Sequence, residues 1–243
     1  MFNINVRFSN VFLGGFMILD SFKQLTLFER RLWIFSLVIV SLSYLFLPEK
    51  DYANLIVSLI GVTSLIFVAK GHVLGHILGI IFSVIYAIIA TYYHYYGELI
   101  TYACLNIPIE ISIIYTWLKH PYQDTNEVEI KIVNKKEWIL LSIGTVLVTI
   151  IFYYILKYFN TTNLIFSTLS ISTSFFASTL SFLRSPYYAL GYCANDIMLI
   201  ILWVLACFEN IAYLPMVICF IMFFVNDVYG FYNWKKIFKR QNN

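Results

Sequence analysis

Three carboxyl side chains lie inside stretches of the sequence that are otherwise apolar: Glu110, Asp196 and Asp227. No Lys or Arg lies at comparable depth in these stretches. A carboxyl group at the centre of a bilayer costs about 2.5–3.5 kcal/mol on insertion scales, so such residues usually face a cavity and mark a pathway. The three acids therefore predict a transport pathway, and the lack of buried cations favours a cationic or strongly polar substrate.

The first acid shares a helical face with an amide. Asn106 lies four residues before Glu110, and Pro108 lies between them. Proline removes a backbone donor, and a helix loosened at membrane depth is tolerated where it lines a cavity. The pattern favours two polar groups directed at a pore, although the Asn and Glu side chains could instead satisfy the freed carbonyl groups.

The second acid lies on an aromatic face. Tyr188, Tyr192 and Asn195 follow one another at helical spacing, and Asp196 is adjacent. Aromatic rings bind flat heterocycles and cations, so this face could contact a substrate. An interface between helices that uses tyrosine hydroxyl groups is an equally good interpretation.

The third acid lies beside a row of residues with a four-residue spacing, formed by Asn226, Gly230 and Trp234. Glycine allows a ligand or another backbone to approach closely. Asp227 could also hold a neighbouring helix by a hydrogen bond. The candidate substrate-binding residues are therefore Asn106, Glu110, Tyr188, Tyr192, Asn195, Asp196, Asn226 and Asp227.

No metal or cofactor site is predicted. His72 and His76 have a zinc-compatible spacing, but no acid or third ligand lies near them in sequence, so a role at a helix end is the better interpretation. The four cysteines lack CxxC spacing and read as apolar fillers. The sequence also contains no P-loop and no nucleophile motif, which argues against an enzyme or an ATP-driven pump.

The composition is that of a polytopic membrane protein. Of 243 residues, 60% are hydrophobic and only 12% are charged, whereas soluble domains are about 25% charged. Eight stretches approach the roughly 20 apolar residues that a spanning helix needs. They cover residues 32–47, 53–69, 73–95, 99–118, 138–158, 163–183, 187–208 and 211–234.

Lysine and arginine predict the orientation. With the N-terminus inside, 14 of the 16 Lys and Arg residues fall on the cytoplasmic side, so both termini are predicted to be cytoplasmic. The longest connector, residues 119–137, alternates acidic and basic residues and is interpreted as a solvated linker.

Segments two to four and six to eight resemble two copies of one unit. Tyr115-Thr-Trp117 and Tyr232-Asn-Trp234 lie 117 residues apart, and the same offset pairs Glu110 with Asp227. One helix separates the units, so they are predicted to be parallel repeats with the substrate between them near the midplane.

The predicted fold is therefore an all-α membrane protein with eight transmembrane helices, in which two parallel three-helix repeats are joined by a linker helix (3+1+3) and one extra helix precedes them. The predicted regions are an N-terminal segment with the extra helix (1–52), the first repeat (53–118), a cytoplasmic loop with the linker helix (119–162), the second repeat (163–236) and a cytoplasmic tail (237–243).

This plan resembles the full-length SWEET-like fold, and residues 184–195 and 226–234 resemble the corresponding helices of the PnuC-type nicotinamide riboside transporters of bacteria. The resemblance implies facilitated diffusion of a vitamin precursor across the inner membrane, trapping by a cytoplasmic kinase, and a homotrimer. It also implies that Asn195 and Asn226 are polar site positions. The family's Trp-x-x-Trp pair is replaced here by Tyr188 and Gly191.

Three alternatives stay open at this point. Relatives of the family carry thiamine or riboflavin, and thiamine is also a cation. An intramembrane enzyme could use Glu110 and Asp227 as general acid and base, if the two carboxyl groups lie close together. A scaffold or receptor that transports nothing is the third. No feature indicates nucleic-acid binding.

Overall fold

Apolar helices account for most of the chain. The computed structural model describes residues 21–47, 51–92, 96–123 and 125–243. Parts of the predicted N-terminal segment, of the first connector, of the third apolar segment and of the 119–137 linker lie outside these residues. No β-strand occurs in the described part of the chain, which contains two isolated bridges.

The helices are numbered here in chain order. They are α1 Leu27–Leu45, α2 Tyr52–Ala69, α3 Val73–Tyr92, α4 Tyr96–Ile100, α5 Ile107–Lys119, α6 Lys135–Tyr158, α7 Leu164–Phe182, α8 Tyr188–Glu209 and α9 Leu214–Gln241. Thr101–Asn106 is π-helical between α4 and α5, and Ile211–Tyr213 is a 3₁₀ turn before α9. Every predicted apolar segment contains one of these helices.

Within the described residues, six helical stretches are long and apolar enough to cross a membrane. They comprise α2, α3, α6, α7, α8, and α9 with its preceding 3₁₀ turn. Helix α1 and the interrupted run from α4 to α5 are not among these six. The protein is therefore an all-α, multi-pass membrane protein.

The fourth predicted segment is interrupted where the proline predicted a loosened helix. A six-residue π-helical stretch ends at Asn106, two residues before Pro108. Proline lacks an N–H group and its ring displaces the carbonyl one turn earlier, so the wider turn relieves that clash. Such π turns occur frequently at functional sites, and this one lies just before Glu110.

The helices pack as two groups, one formed by α2, α3 and α5 and the other by α7, α8 and α9, and the two groups contact each other at two places. Helix α3 packs against α2 and α5, while α8 packs against α7 and α9. The last helix of each group also packs on the first helix of the other, since α9 contacts α2 and α5 contacts α7. Helix α6 lies against α7 and is only 17% buried, and α1 lies against α2 and α9.

Two fully buried tryptophans join the groups. Trp117 on α5 donates its indole N–H to the carbonyl of Ser181 at 2.9 Å, near the end of α7. Trp234 on α9 donates in the same way to the carbonyl of Val68 near the end of α2, also at 2.9 Å. Their rings lie 5.4 Å apart. Each group therefore donates a side-chain hydrogen bond to a carbonyl in the last turn of a helix of the other group.

The turns that follow α2 and α7 have the same hydrogen bonds. After α2, Gly71 donates to the carbonyl of Val68 and adopts a φ of 72°. After α7, Arg184 donates to the carbonyl of Ser181 and adopts a φ of 59°. Glycine is the usual residue for this left-handed helix end, and arginine at the second turn carries the steric cost that glycine avoids.

The prediction of a solvated linker for residues 119–137 is wrong. Val128, Ile130 and Val133 are buried in the main apolar cluster. The backbone of this segment is held from both sides, because Val128 donates to Gly71 and Lys131 donates to Arg184. Apolar residues alternate with charged ones here, so one side of the extended segment packs inward while the charges face outward.

Candidate substrate-binding site

Glu110 on α5 is held by a histidine from α3. Nδ1 of His76 lies 2.6 Å from Oε2 of Glu110, and Nε2 lies 3.3 Å from the hydroxyl of Ser181 on α7. The ring of Trp117 meets the imidazole edge-on. The Glu110 carboxyl lies over Gly79, where a Cβ atom would come within 3.3 Å of it. His76 is only 2% exposed while Glu110 is 16% exposed, so a ligand can reach the acid and not the base.

Tyr192 on α8 lies at the meeting point of the three acids. Its hydroxyl is 3.0 Å from the hydroxyl of Ser178. The carboxyl groups of Glu110, Asp227 and Asp196 all interact electrostatically with it, Glu110 most strongly. The structure therefore brings together acids from α5, α8 and α9 that are far apart in sequence. We call the group the tyrosine–acid cluster; it consists of His76, Glu110, Tyr188, Tyr192, Asp196 and Asp227.

Asp196 and Asp227 form a carboxyl pair within this cluster. Both are buried, and their carboxyl groups interact directly with each other. Oδ2 of Asp196 receives no hydrogen bond from any donor in the described residues. Two adjacent carboxylates repel each other strongly when both are buried, so one of the two groups carries a proton. The pair therefore presents one negative charge rather than two.

Tyr188 forms the aromatic wall next to this pair. Its ring packs against Trp234 at 4.5 Å and against Tyr192 at 6.0 Å. Gly230 makes room for it, because a Cβ atom there would lie 3.2 Å from the Tyr188 hydroxyl. That hydroxyl is buried close to Asp227 and has no hydrogen-bond partner among the described residues. A buried hydroxyl without a partner marks a position that a ligand could satisfy.

The three candidate asparagines lie in different surroundings. Asn195 is buried beside the cluster and accepts a hydrogen bond from the Thr173 hydroxyl at 3.2 Å. Asn106 ends the π-helical stretch, and no hydrogen bond within the described residues connects it to the acids. Asn226 is fully buried and donates to Ser36 on α1 and to the carbonyl of Met222. Its Oδ1 atom has no hydrogen-bond partner among the described residues, so Asn226 stays a predicted substrate contact while its amide nitrogen holds α1.

The cluster is anionic and aromatic. In the described part of the chain, the only ion pair formed by any of its three acids is that of Glu110 with His76. Among the same residues, no group of three His, Cys, Asp or Glu side chains could hold a metal ion. Acids beside tyrosine rings attract a cation by charge and by the negative faces of the rings.

Sequence reasoning missed three of the residues that build this site. The spacing of His72 and His76 indicates a zinc pair or a role at a helix end rather than a partner for Glu110, and no pattern in the sequence distinguishes Ser178 or Ser181 from other serines. The available signal was Glu110 itself, because an acid at membrane depth needs a partner. His76 lies in the same predicted repeat and could have been proposed on that ground.

A second polar region lies at the ends of the helices, away from the cluster. A cavity of about 600 Å³ there is lined by Gln24, Lys70, His72, Tyr122, Thr125, Asn126, Glu127 and Arg240. Burial, with the nearby Lys70 ammonium adding to it, lowers the pKa of His72 to about 4, so its imidazole is neutral. Burial also lowers the pKa of Arg184, against the opposing effect of Glu129. No member of the tyrosine–acid cluster lines this cavity.

Comparisons with known proteins agree with this description. A family model described as nicotinamide mononucleotide transporter matches residues 51–236. The chain is 27% identical over 229 residues to the nicotinamide riboside transporter PnuC of Neisseria mucosa, covering 92% of this chain and 86% of that protein. Its fold is similar to the crystal structure of the vitamin B3 transporter PnuC, with a TM-score of 0.79 at 24% identity, covering 94% of this chain and all of that one.

These findings confirm the predicted PnuC-type family, and they identify a transporter rather than an enzyme. The family model alone spans well over half of the sequence. The chain therefore belongs to the nicotinamide mononucleotide transporter family.

Proposed function

We propose that the protein carries nicotinamide riboside across the bacterial inner membrane by facilitated diffusion. The observation that carries the proposal is the tyrosine–acid cluster, in which three acids interact electrostatically with the Tyr192 hydroxyl. Nicotinamide riboside has a flat cationic pyridinium ring and a neutral sugar. The ring suits the aromatic and anionic walls, and the sugar hydroxyl groups suit acceptors such as Asn195 and the carboxylates.

The cluster favours the riboside over the mononucleotide. A phosphate group is bound in proteins by Arg, Lys or helix N-termini. None of the three acids of the cluster has a Lys or Arg partner among the described residues. A phosphate placed here would face carboxylates, which repel it. We infer that the substrate enters without its phosphate and that a separate cytoplasmic kinase adds one to trap it.

The proposed architecture is that of eight transmembrane helices in a 3+1+3 plan with α1 added in front. The exchange between Trp117 and Trp234 and the matching turns at Gly71 and Arg184 support two related three-helix units. Helix α6 links the units from the periphery. We propose that the units rock about the cluster, that both termini are cytoplasmic, and that the protein is a homotrimer with one pathway per subunit.

The substrate-binding residues that we propose are Glu110, Tyr188, Tyr192, Asn195, Asp196 and Asp227. Asn106 stays a prediction, since it borders the π-helical stretch one turn before Glu110. Asn226 also stays a prediction, since its Oδ1 atom has no partner among the described residues while its amide N–H fixes α1 against α9.

The test is uptake of labelled nicotinamide riboside into proteoliposomes, with binding to the purified protein measured by calorimetry. We expect saturable uptake that runs down the gradient without added ATP. Nicotinamide mononucleotide should compete poorly. Binding of thiamine with no response to the riboside would overturn the substrate assignment, and a covalently altered product would indicate an enzyme instead.

A further inference from the structure

We propose that His76 is the internal counter-ion of Glu110, and that the cationic substrate displaces its proton on binding. The proposal rests on the proposed function in one respect only, namely that the substrate carries a positive charge. It assigns to His76 a positioning role: the residue holds the acid when the site is empty and gives up its charge when the site is filled.

The geometry of the pair supports such an exchange. Nδ1 of His76 and Oε2 of Glu110 are 2.6 Å apart, which is the short distance of a charge-assisted hydrogen bond. Glu110 is 16% exposed and His76 is 2% exposed. A cation that reaches Glu110 would therefore lie on the open side of the carboxyl group, with the imidazole behind it. Two positive charges around one carboxylate at this depth repel each other, and the charge that can leave is the proton.

The other side of the imidazole accommodates both protonation states. Nε2 lies 3.3 Å from the hydroxyl of Ser181. A hydroxyl group can accept a hydrogen bond from a protonated Nε2 and can donate one to a neutral Nε2. Trp117 meets the ring edge-on at 4.3 Å and keeps its orientation. The ring can thus give up a proton without moving and without leaving a buried nitrogen unpaired.

Other titratable groups near the pair have to be considered as sources of a proton. Tyr192 on α8 interacts with Glu110, and beyond it lie Asp196 on α8 and Asp227 on α9. The carboxyl pair holds a proton of its own, so a cation that approached Asp196 and Asp227 could release that proton instead. The experiment must therefore distinguish His76 from the carboxyl pair.

The experiment is calorimetry of nicotinamide riboside binding in buffers with different ionisation enthalpies, from pH 5.5 to pH 8. Imidazole is the side chain that changes charge in this range. In the wild type we expect release of up to about one proton per substrate at the acidic end and none at the alkaline end. Affinity should accordingly rise with pH, by up to about tenfold per unit where release is complete.

His76→Gln should keep a hydrogen bond to Glu110 and bind the substrate with no proton release and a flat pH profile. His120→Gln is the matched control, because the His120 imidazole bonds to the backbone carbonyl of Thr116 at the end of α5 rather than to an acid; it should behave as the wild type. The neutral reduced form of the riboside should bind without proton release. Should His76→Gln fail to fold, the wild-type pH profile and Asp196→Asn still decide the question.

The possible results distinguish the source of the released proton from the identity of the substrate. Proton release that persists in His76→Gln and disappears in Asp196→Asn would assign the proton to the carboxyl pair and overturn the proposal, as would riboside binding without any proton release. If the riboside does not bind but thiamine binds with release that His76→Gln abolishes, the substrate assignment fails and the role of His76 stands. If neither cation binds, both fail.

Discussion

Glu110 and Asp227 lie 117 residues apart at matching places in their helices, yet their carboxyl groups are neutralised in different ways. Glu110 lies against a base, His76, from its own half of the molecule. Asp227 lies against a second acid, Asp196, also from its own half. One half thus uses an ion pair that a ligand can open, and the other uses a shared proton.

In the proposed arrangement of two related units, this difference gives the site two unlike ends. The tryptophans that join the two groups have equivalent bonds, since each donates to a carbonyl at a helix end of the other group. The bonds that hold the two groups of helices together are therefore equivalent, whereas the side chains around the acids differ between the two groups. A substrate with a cationic ring at one end and a sugar at the other needs two unlike ends of this kind.

The largest effect is expected for Glu110→Gln. This change removes the negative charge that is most exposed in the cluster. Loss of one partner of a buried charge pair typically costs about 2–3 kcal/mol, so riboside binding should weaken on the order of 50-fold. Glu209→Gln, at an exposed acid at the far end of α8, is the control and should bind normally. Equal binding by both variants would remove Glu110 from the site.

The carboxyl pair should respond differently. Because the pair carries one charge, Asp196→Asn or Asp227→Asn leaves a carboxylate that accepts a hydrogen bond from the new amide. Each single variant should bind the riboside within about threefold of the wild type, while the double variant should lose as much as Glu110→Gln. Binding assays on the three variants form a double-mutant cycle. Single losses that simply add would contradict a shared proton.

The equivalence of the two tryptophan hydrogen bonds can be tested by measuring the stability of the protein. Trp117→Phe and Trp234→Phe each remove the indole hydrogen bond to a buried carbonyl that keeps a backbone N–H donor, at a cost of about 0.5–1.5 kcal/mol. We expect similar falls in the thermal unfolding temperature of the detergent-solubilised protein. Trp203→Phe is the control, because its ring packs on Tyr213 in the other apolar cluster. Strongly unequal effects of the first two variants would show that the two halves are not joined symmetrically.

The sequence predicted the helices well because an apolar stretch of spanning length has few other structures available in a membrane. It also identified the acids, since their cost at that depth demands an explanation. It could not show that Asp196 meets Asp227, because that contact depends on how α8 and α9 pack. The error at residues 119–137 has a simple cause: the charged residues suggest a solvated segment, but the apolar residues Val128 and Ile130 alternate with them and are buried.

The spacing in the sequence could not show that Tyr188 and Tyr192 have different roles. Tyr188 and Tyr192 lie one turn apart on one face, which gives both the same expected role. Only the packing shows that Tyr192 already has a partner in Ser178 while the Tyr188 hydroxyl has none among the described residues. The same packing turned Asn226 towards α1, although it is adjacent in sequence to Asp227.

The smallest effect is expected for Tyr188→Phe, and it sharpens the difference between the two tyrosines. The change removes a buried hydroxyl that bonds to nothing in the described part of the chain, so the unfolding temperature should stay the same or rise. If the riboside supplies the missing partner, its binding should weaken about fivefold, the equivalent of one hydrogen bond. Tyr187→Phe, on the exposed neighbour, should change neither quantity. Unchanged binding with raised stability would mean that the riboside forms no hydrogen bond with the Tyr188 hydroxyl, and the contribution of Tyr188 to the site would then be limited to its ring, which Phe retains.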